Sequence, residues 1–341
     1  MVEKIDFVVT WLDSSDPEWQ KDYIKYKNIT LEGDQSSARF RDWDLFKYWF
    51  RAVEKYAPWV NKVFLITNGT FPKWINPNYS KLVLVKHSDY IPERFLPTFN
   101  SCTIELHMNK IKGLSEHFVY FNDDFYINGP IDPDYYFKNG LPCDNNTETF
   151  FNVPKYDPVG GFFIYHSMLA NIGVINRHFN RRNVWRESLR RWFGTHLGAK
   201  GLFIAFVLRC FDNPLFVGFN WKHVEQAYLK SVFDEAWAEE MEMLNKSCTR
   251  FREEVILNPY FFRYWQFATN RFHPVKLNQI RKYRTVKEQI PLILAAIQNP
   301  KIKSLCINDT PVCTDEEFLN FKKEIQNAFR KKFPQKSSFE K

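Results

Sequence analysis

An amide and two adjacent carboxylates, Asn122-Asp123-Asp124, follow directly on the apolar run Phe118-Val119-Tyr120-Phe121. Such a run reads as a buried strand. In open α/β sheets, ligands bind just beyond the carboxyl ends of strands. Two carboxylates there repel each other unless something positive compensates them. A hard divalent cation that also meets phosphate oxygens would do so. The reading is a metal and a phosphate-bearing substrate at 122–124. The competing reading is a plain turn after a strand, a common use of Asn and Asp, and the motif alone does not decide.

Adjacent residues on an extended segment point oppositely, so the two carboxylates can divide their work. Asp124 is assigned to metal, and Asp123 is shared between catalysis and metal. Asn308 and Asp309 are further oxygen donors for a hard cation, or else a loop with a capping Asp. Arg250 and Arg252 flank Phe251. On a strand they would share a face, and paired guanidiniums suit the charge developing on a pyrophosphate. The alternative is a solvated charged edge. His223 is the side-chain type whose pKa suits a general base at neutral pH, although any single one of the eight His residues is more often a surface or core-edge group. Thr10, Trp11 and Asp13 end the opening strand, where a donor base or ribose would lie; Trp11 is otherwise a core residue. Arg39 precedes the first amphipathic helix, within reach of a phosphate. Asn100 and Ser101 stand where a helix N-terminus would attract an anion, and both are also good caps.

Strands and helices must hold these residues. Ile5–Trp11 reads as a strand. Leu45, Tyr48, Trp49, Ala52, Val53 and Tyr56 form one helical stripe stopped by Pro58. Val63–Thr67 is a strand closed by Asn68-Gly69, and Leu82–Val85 is another. Thr103–Ile111 reads as a helix stopped by Gly113. Strands separated by helices predict an α/β, Rossmann-like fold: a mostly parallel sheet flanked by helices. The second half reads as more helical, with helices over Arg182–Phe193 and Val224–Met243. In Asp315–Phe333, Thr314 and Glu317 form a capping box. Phe318, Phe321, Ile325 and Phe329 line one side there, and the other face is Lys-rich. The expected division is 1–126 as the α/β half, 127–150 as a loop or junction and 151–313 as a helix-rich half completing the site. A basic amphipathic helix and tail occupy 314–341.

Composition narrows the class. With 18% aromatic residues, 34 of them Phe, the chain is far from disorder. A net charge of +8 favours anionic partners such as nucleotides, phosphorylated sugars or acidic lipid surfaces. Nucleic acid ranks low, because the basic residues are scattered and no nucleic-acid motif is present. Six cysteines without a CxxC pair do not make a disulfide framework; a small Cys306–Cys313 loop is a minor alternative. No apolar signal region opens the chain, and no run nears the roughly 18 apolar residues that span a bilayer. The expectation is a cytoplasmic protein. Its basic C-terminal helix could touch the inner membrane surface, with core packing favoured for its Phe stripe.

Four blocks in order carry a resemblance. The first is Ile5-Asp6-Phe7-Val8-Val9-Thr10-Trp11-Leu12-Asp13 with Ser15-Asp16-Pro17. The second runs from Arg39-Phe40-Arg41-Asp42 through Thr67-Asn68-Gly69, Leu96 to Ser101 and Ile104-Glu105 to Asn122-Asp123-Asp124. The third is His223, Tyr228-Leu229-Lys230 and Arg250-Phe251-Arg252, and the fourth is Cys306-Ile307-Asn308-Asp309. Together they resemble the Stealth family of sugar-1-phosphate transferases, and more nearly its bacterial members, which build capsule and receptor polysaccharides. One departure is Val224-Glu225-Gln226-Ala227 after His223, where the family usually has prolines.

The resemblance implies transfer of a sugar-1-phosphate from a nucleotide sugar, first a UDP-sugar, to a hydroxyl of a glycan or lipid-linked glycan. It implies Mg²⁺ (or Mn²⁺), with Asp123, Asp124, Asn308 and Asp309 around the metal. It makes His223 the base, puts Arg250 and Arg252 on phosphate, and leaves Thr10, Trp11, Asp13, Arg39, Asn100, Ser101 and Asn122 to the substrate. The alternatives are a metal-dependent glycosyltransferase releasing a nucleoside diphosphate, or a glycan-binding protein without turnover.

Overall fold

The structure is a computed structural model that describes residues 3–27, 42–151, 162–221, 223–253, 257–309 and 314–341. The chain opens with β1 (Ile5–Thr10), α1 (Pro17–Lys27), α2 (Phe46–Tyr56), β2 (Val63–Thr67) and β3 (Leu82–Lys86). It continues with α3 (Ser101–Leu106), β4 (His117–Phe121), β5 (Phe125–Ile127), β6 (Phe137–Lys138) and β7 (Leu141–Asp144). Four helices follow: α4 (Phe162–His178), α5 (Arg181–Glu187), α6 (Leu189–Trp192) and α7 (Gly198–Cys210). Then come β8 (Gln226–Leu229), α8 (Lys230–Glu239), α9 (Met241–Ser247) and α10 (Tyr260–Ala268). The last elements are β9 (His273–Pro274), β10 (Ile280–Arg284), α11 (Ile290–Gln298), β11 (Ser304–Asn308) and α12 (Asp315–Lys332).

The fold is α/β. The main sheet has the order β3-β2-β1-β4-β8; its first four strands are parallel and β8 is antiparallel to β4. β1, β2 and β4 are buried on both faces, which explains their continuous apolar runs. The chain steps outward from β1 to β3, then returns to lay β4 on the other side of β1. The order of strands therefore reverses between β1 and β4, which makes a crevice at their carboxyl ends. Val9 pairs with Phe121, so Thr10-Trp11 and Asn122–Asp124 emerge side by side. At the opposite end the buried Asp6 carboxylate accepts from Asn61 Nδ2 (2.7 Å), Lys62 N (3.1 Å) and Ser115 N (2.8 Å). Buried charge is tolerated only when satisfied in this way.

A second sheet, β10-β11-β5, pairs β11 parallel to β10 and antiparallel to β5. Three residues separate the end of β4 from the start of β5, so 122–124 is pinned between two sheets. The expected boundary at 126–127 falls inside β5, whose partner strand comes from 304–308.

Several sequence expectations change. Val224–Met243 is not one helix. Gln226–Leu229 forms β8 on the open edge of β4, because pairing four buried residues outweighs helical spacing; α8 and α9 follow. Arg182–Phe193 is broken at Ser188 (φ −149°, ψ 66°) into α5 and α6. The helix expected over Thr103–Ile111 ends at Leu106, and a 3₁₀ turn, Met108–Lys110, takes over. The junction at 127–150 contains β6 and β7, and β7 pairs with β9. Cys313 lies outside the described residues, so the Cys306–Cys313 loop does too; Cys306 is a free thiol. Among the described residues no helix is long and apolar enough to cross a membrane.

α12 keeps its capping box, in which Glu317 N donates to Thr314 Oγ1 (3.2 Å) and Thr314 N to Glu317 Oε2 (3.0 Å). Its stripe Phe321, Ile325 and Phe329 is buried, with Phe329 stacked on Tyr48 at 5.7 Å. The stripe thus serves core packing. The tail then locks onto α2. Arg51 donates from Nε and Nη2 to the two Glu340 oxygens, each at 2.7 Å, while Phe339 packs against Phe50. The pair is partly buried, and replacing one partner leaves the other charge with less water around it than at an open surface. Arg51→Met should therefore lower stability by roughly 1–2 kcal/mol, between the surface and buried values, in urea unfolding, and a loss below about 0.5 kcal/mol, a surface-pair value, would contradict this role.

Candidate active site

The crevice between β1 and β4 opens into a cleft of ≈ 500 Å³. Thr10, Trp11, Ser101, Asn122, Asp123, Asp124, His223, Arg252, Asn308 and Asp309 all line it. Those residues come from six separate stretches of chain.

Asp124 is the meeting point. His223 Nε2 lies 3.3 Å from its Oδ2. Asn308 Nδ2 donates to the same oxygen at 3.1 Å and Cys306 Sγ at 3.4 Å. The Asp124 carbonyl accepts from Ile307 N at 3.0 Å, so β11 is anchored by backbone and side chain alike. Burial alone would raise the Asp124 pKa, but the His223 charge and the His223, Asn308 and Cys306 hydrogen bonds outweigh it and hold the carboxyl below its ordinary value. Burial, with Asp124 beside it, pushes the Cys306 thiol well up, so Cys306 stays a donor. The His223 ring stands edge-on to Phe125 at 4.8 Å, which fixes its plane.

Asp123 has the opposite environment. Its carboxyl opens into the cleft, and the cleft walls together with Asp124 raise its pKa to about 7. Two adjacent carboxyls pushed apart in this way can perform acid and base work at one pH.

A second polar group forms the far wall. Tyr120 Oη donates to Asn122 Oδ1 at 2.6 Å and lies 3.2 Å from Thr10 Oγ1. Arg252 Nη2 donates to Ser101 Oγ at 2.6 Å. Glu105 is buried behind them; burial raises its pKa to about 7, offset in part by the Arg252 charge and by bonds from Ser101 and Tyr120.

Other candidates sit elsewhere. Arg250 does not share a face with Arg252, because the chain bends at 250–251 and forms no strand there. Its guanidinium donates to Pro97 O (2.9 Å) and Leu96 O (3.2 Å) and covers the Tyr26 ring at 4.1 Å. Asn100 is fully buried; it caps α3 through Cys102 N and donates to Thr249 Oγ1. Asp13 Oδ1 accepts from Ser15 N and Oγ and is not among the cleft's lining residues. Trp11 stacks on Phe46 at 6.0 Å with its edge in the cleft. Asp309 accepts from Thr285 Oγ1 at 2.9 Å. Arg39 lies outside the described residues.

Glu105, Cys306 and Tyr120 carry no site role in the sequence analysis. Signals existed: Glu105 is four residues from Ser101 on one helix face, and Cys306 shares the β11 face with Asn308.

The donors fit a hard cation. The ligand atoms of Asp124, His223 and Cys306 lie within 4.8 Å of one another, a mixed O, N and S set. A protonated Cys306 leaves that set, since only the thiolate ligates. Asp124 and His223 remain of it, Asn308 adjoins Asp124 through its amide at 3.1 Å, and none of the three side-chain contacts to Asp124 uses its Oδ1. Those donors suit Mg²⁺ or Mn²⁺.

Glu105 gives a prediction with a definite sign. Its folded pKa is raised, so between pH 4.5 and about 7 the folded chain holds a proton that the unfolded chain has released. Stability falls with rising pH across that window and levels off above it. Glu105→Gln should flatten this slope, by on the order of 3 kcal/mol over the window, in metal-free urea unfolding. An unchanged slope would contradict the assignment.

The profile of Stealth protein CR2, conserved region 2, matches residues 39–144. The capsular polysaccharide phosphotransferase WcwK of Streptococcus pneumoniae is 38% identical, over 100% of both chains. The exopolysaccharide phosphotransferase cps2G of Lactiplantibacillus plantarum is 38% identical, over 99% of this chain and 96% of its own. The receptor polysaccharide phosphotransferase WefC of Streptococcus gordonii is 34% identical over 100% of both. Among solved structures, the galactosyltransferase LgtC with donor and acceptor sugar analogs aligns over 94% of this chain and 95% of that one, at 7% identity and a TM-score of 0.39; so loose a likeness carries no argument. The full-length relatives agree with the matched region, which contains β4 and Asn122–Asp124, and the chain belongs to the Stealth family of polysaccharide phosphotransferases.

Proposed function

We propose that the protein transfers a sugar-1-phosphate from a nucleotide sugar, first a UDP-sugar, to a hydroxyl of a glycan or lipid-linked glycan in bacterial surface polysaccharide synthesis. The observation that carries this is the His223–Asp124 pair at 3.3 Å, set at the strand ends where the sheet order reverses. We place the reaction in the cytoplasm, at the inner face of the membrane.

In this reading the acceptor oxygen attacks the phosphorus that bears the sugar. A new P–O bond forms. The bond from that phosphorus to the bridging oxygen breaks, and its electron pair leaves with the nucleoside monophosphate. The sugar C1–O bond is untouched. Phosphoryl transfer needs positioning and charge stabilisation above all.

With His223 Nε2 directed at Asp124, the neutral ring leaves Nδ1 to accept the acceptor's proton. Asp124 orients the ring and stabilises the imidazolium that results, as a carboxylate does behind any catalytic His. Asp123 holds the acceptor. Arg252 and Lys282, both at the cleft, take up charge on the diphosphate. Thr10, Trp11 and Asn122 contact the donor, and Ser101 holds Arg252. Arg250 acts indirectly by fixing the 96–97 carbonyls ahead of α3. A Mg²⁺ (or Mn²⁺) ion on Asp123, Asp124 and Asn308, with Asp309 nearby, would supply positive charge to the phosphate oxygens.

Two results are expected with purified enzyme, Mg²⁺, UDP-sugars and glycan acceptors. The nucleotide product, read by chromatography, should be the monophosphate. His223→Gln should lower kcat by roughly 10²–10⁴, the usual worth of a general base, with little change in donor KM. A diphosphate product would overturn the reading in favour of a glycosyltransferase. Full activity in His223→Gln would remove the base from His223.

A further inference from the structure

α7 lies on the surface with its apolar side outward. Only Gly201, Ala205 and Leu208 of this helix are buried. Phe203 (67% exposed), Phe206 (60%) and the exposed Cys210 fall at i, i+3 and i+7 on the opposite face. Phe211, 81% exposed, and Leu215, 50% exposed, extend that face past the helix end. A buried stripe would be ordinary; an outward one in a soluble fold marks an interaction surface.

The stripe has a basic rim. Residues 182–215 contain Arg182, Arg186, Arg190, Arg191, Lys200 and Arg209, against only Glu187 and Asp212 as acids. Arg186, Arg190, Lys200 and Arg209 are exposed. Contacts join α5 to the end of α7: Arg186 and Arg209 both cover the Trp185 ring, at 5.5 and 5.3 Å. Asp212 accepts from Arg182 at 3.1 Å and lies 4.0 Å from Arg186. Glu187 accepts from Asn270. The two acids are thus partly engaged, and the rim keeps a net positive charge.

We propose that this face, α7 with the 211–215 loop and the arginines of α5 and α6, docks the protein onto an anionic lipid bilayer. Aromatic side chains enter the headgroup–acyl boundary while cations meet lipid phosphates; that pairing defines an interfacial helix. A second copy of the chain is the other conceivable cover. A two-fold dimer through this face would set two basic rims against each other, so charge favours lipid. The C-terminal helix buries its stripe against the core and so offers a bilayer less apolar surface than α7 does.

The test is co-sedimentation with phosphatidylglycerol/phosphatidylcholine vesicles and with pure phosphatidylcholine vesicles, at low and high salt. The wild type should sediment with the anionic vesicles at low salt and be released by high salt. Phe203→Ser/Phe206→Ser/Phe211→Ser should weaken binding about tenfold or more, with an unchanged circular dichroism spectrum. Arg186→Gln/Arg190→Gln/Arg209→Gln should weaken it as well, and decides the matter should the first variant misfold. Lys323→Gln/Lys331→Gln on α12 should bind like wild type. Failure of the wild type to bind anionic vesicles, or undiminished binding by the folded variants, would overturn the proposal. So would a solution dimer that the Phe substitutions dissociate while vesicle binding is absent.

Discussion

One carboxylate oxygen, Asp124 Oδ2, faces an imidazole, an amide N–H and a thiol drawn from residues 223, 308 and 306. A charge so enclosed survives only because these groups replace its lost water. The constraint explains much of the architecture. β4 must end at that point, β5 must leave at once, and β11 must return from the far end of the chain to lie beside it. The main sheet delivers the carboxylate, the small sheet delivers two of its partners, and the segment before β8 delivers the His. Positioning a phosphoryl transfer to fractions of an ångström calls for such rigid elements rather than free loops.

The same logic recurs behind the site. Arg263 is bidentate to Asp144, at 2.7 and 3.0 Å, and Arg181 is bidentate to Glu148, at 2.8 and 2.7 Å. All four residues are buried. These pairs tie α10 and α5 to the strand and loop at 141–148. Such pairs add little net stability over apolar packing, but losing one partner is costly, so they fix which helix meets which strand. Asp123 and Glu105, by contrast, carry carboxyls that the cleft leaves short of compensation, both raised to about 7. Uncompensated groups gathered in one cleft are the usual mark of a working site.

Much of this was legible in the sequence, and the limits are physical. Parallel strands buried on both faces announce themselves as β-branched and aromatic runs, so β1, β2 and β4 fall within a residue or two of their expected places, as does the half-buried apolar run of β3. The carboxylate pair could be read because a strand end is a local feature. β8 could not be, because Gln226–Leu229 becomes a strand only when β4 offers it an edge. Arg250 and Arg252 look equivalent by spacing, and only the bend at 250–251 sends one to the 96–97 carbonyls and the other to Ser101. By sequence Cys306 reads as a reduced structural thiol, with a Cys306–Cys313 loop the minor alternative. Its place against Asp124 depends on a contact 182 residues apart in sequence, beyond any local pattern. The family blocks joined His223 to the carboxylates before any geometry was known.

The account turns on which bond breaks. A donor nucleotide sugar carrying ¹⁸O in the bridge between the sugar C1 and its phosphorus would be turned over with acceptor, and the products read by isotope-shifted phosphorus NMR. Attack at phosphorus predicts that the label stays in the new phosphodiester and that none enters the nucleotide. Label found in a released nucleoside diphosphate would mean that the C1–O bond had broken, and would contradict the account at its centre.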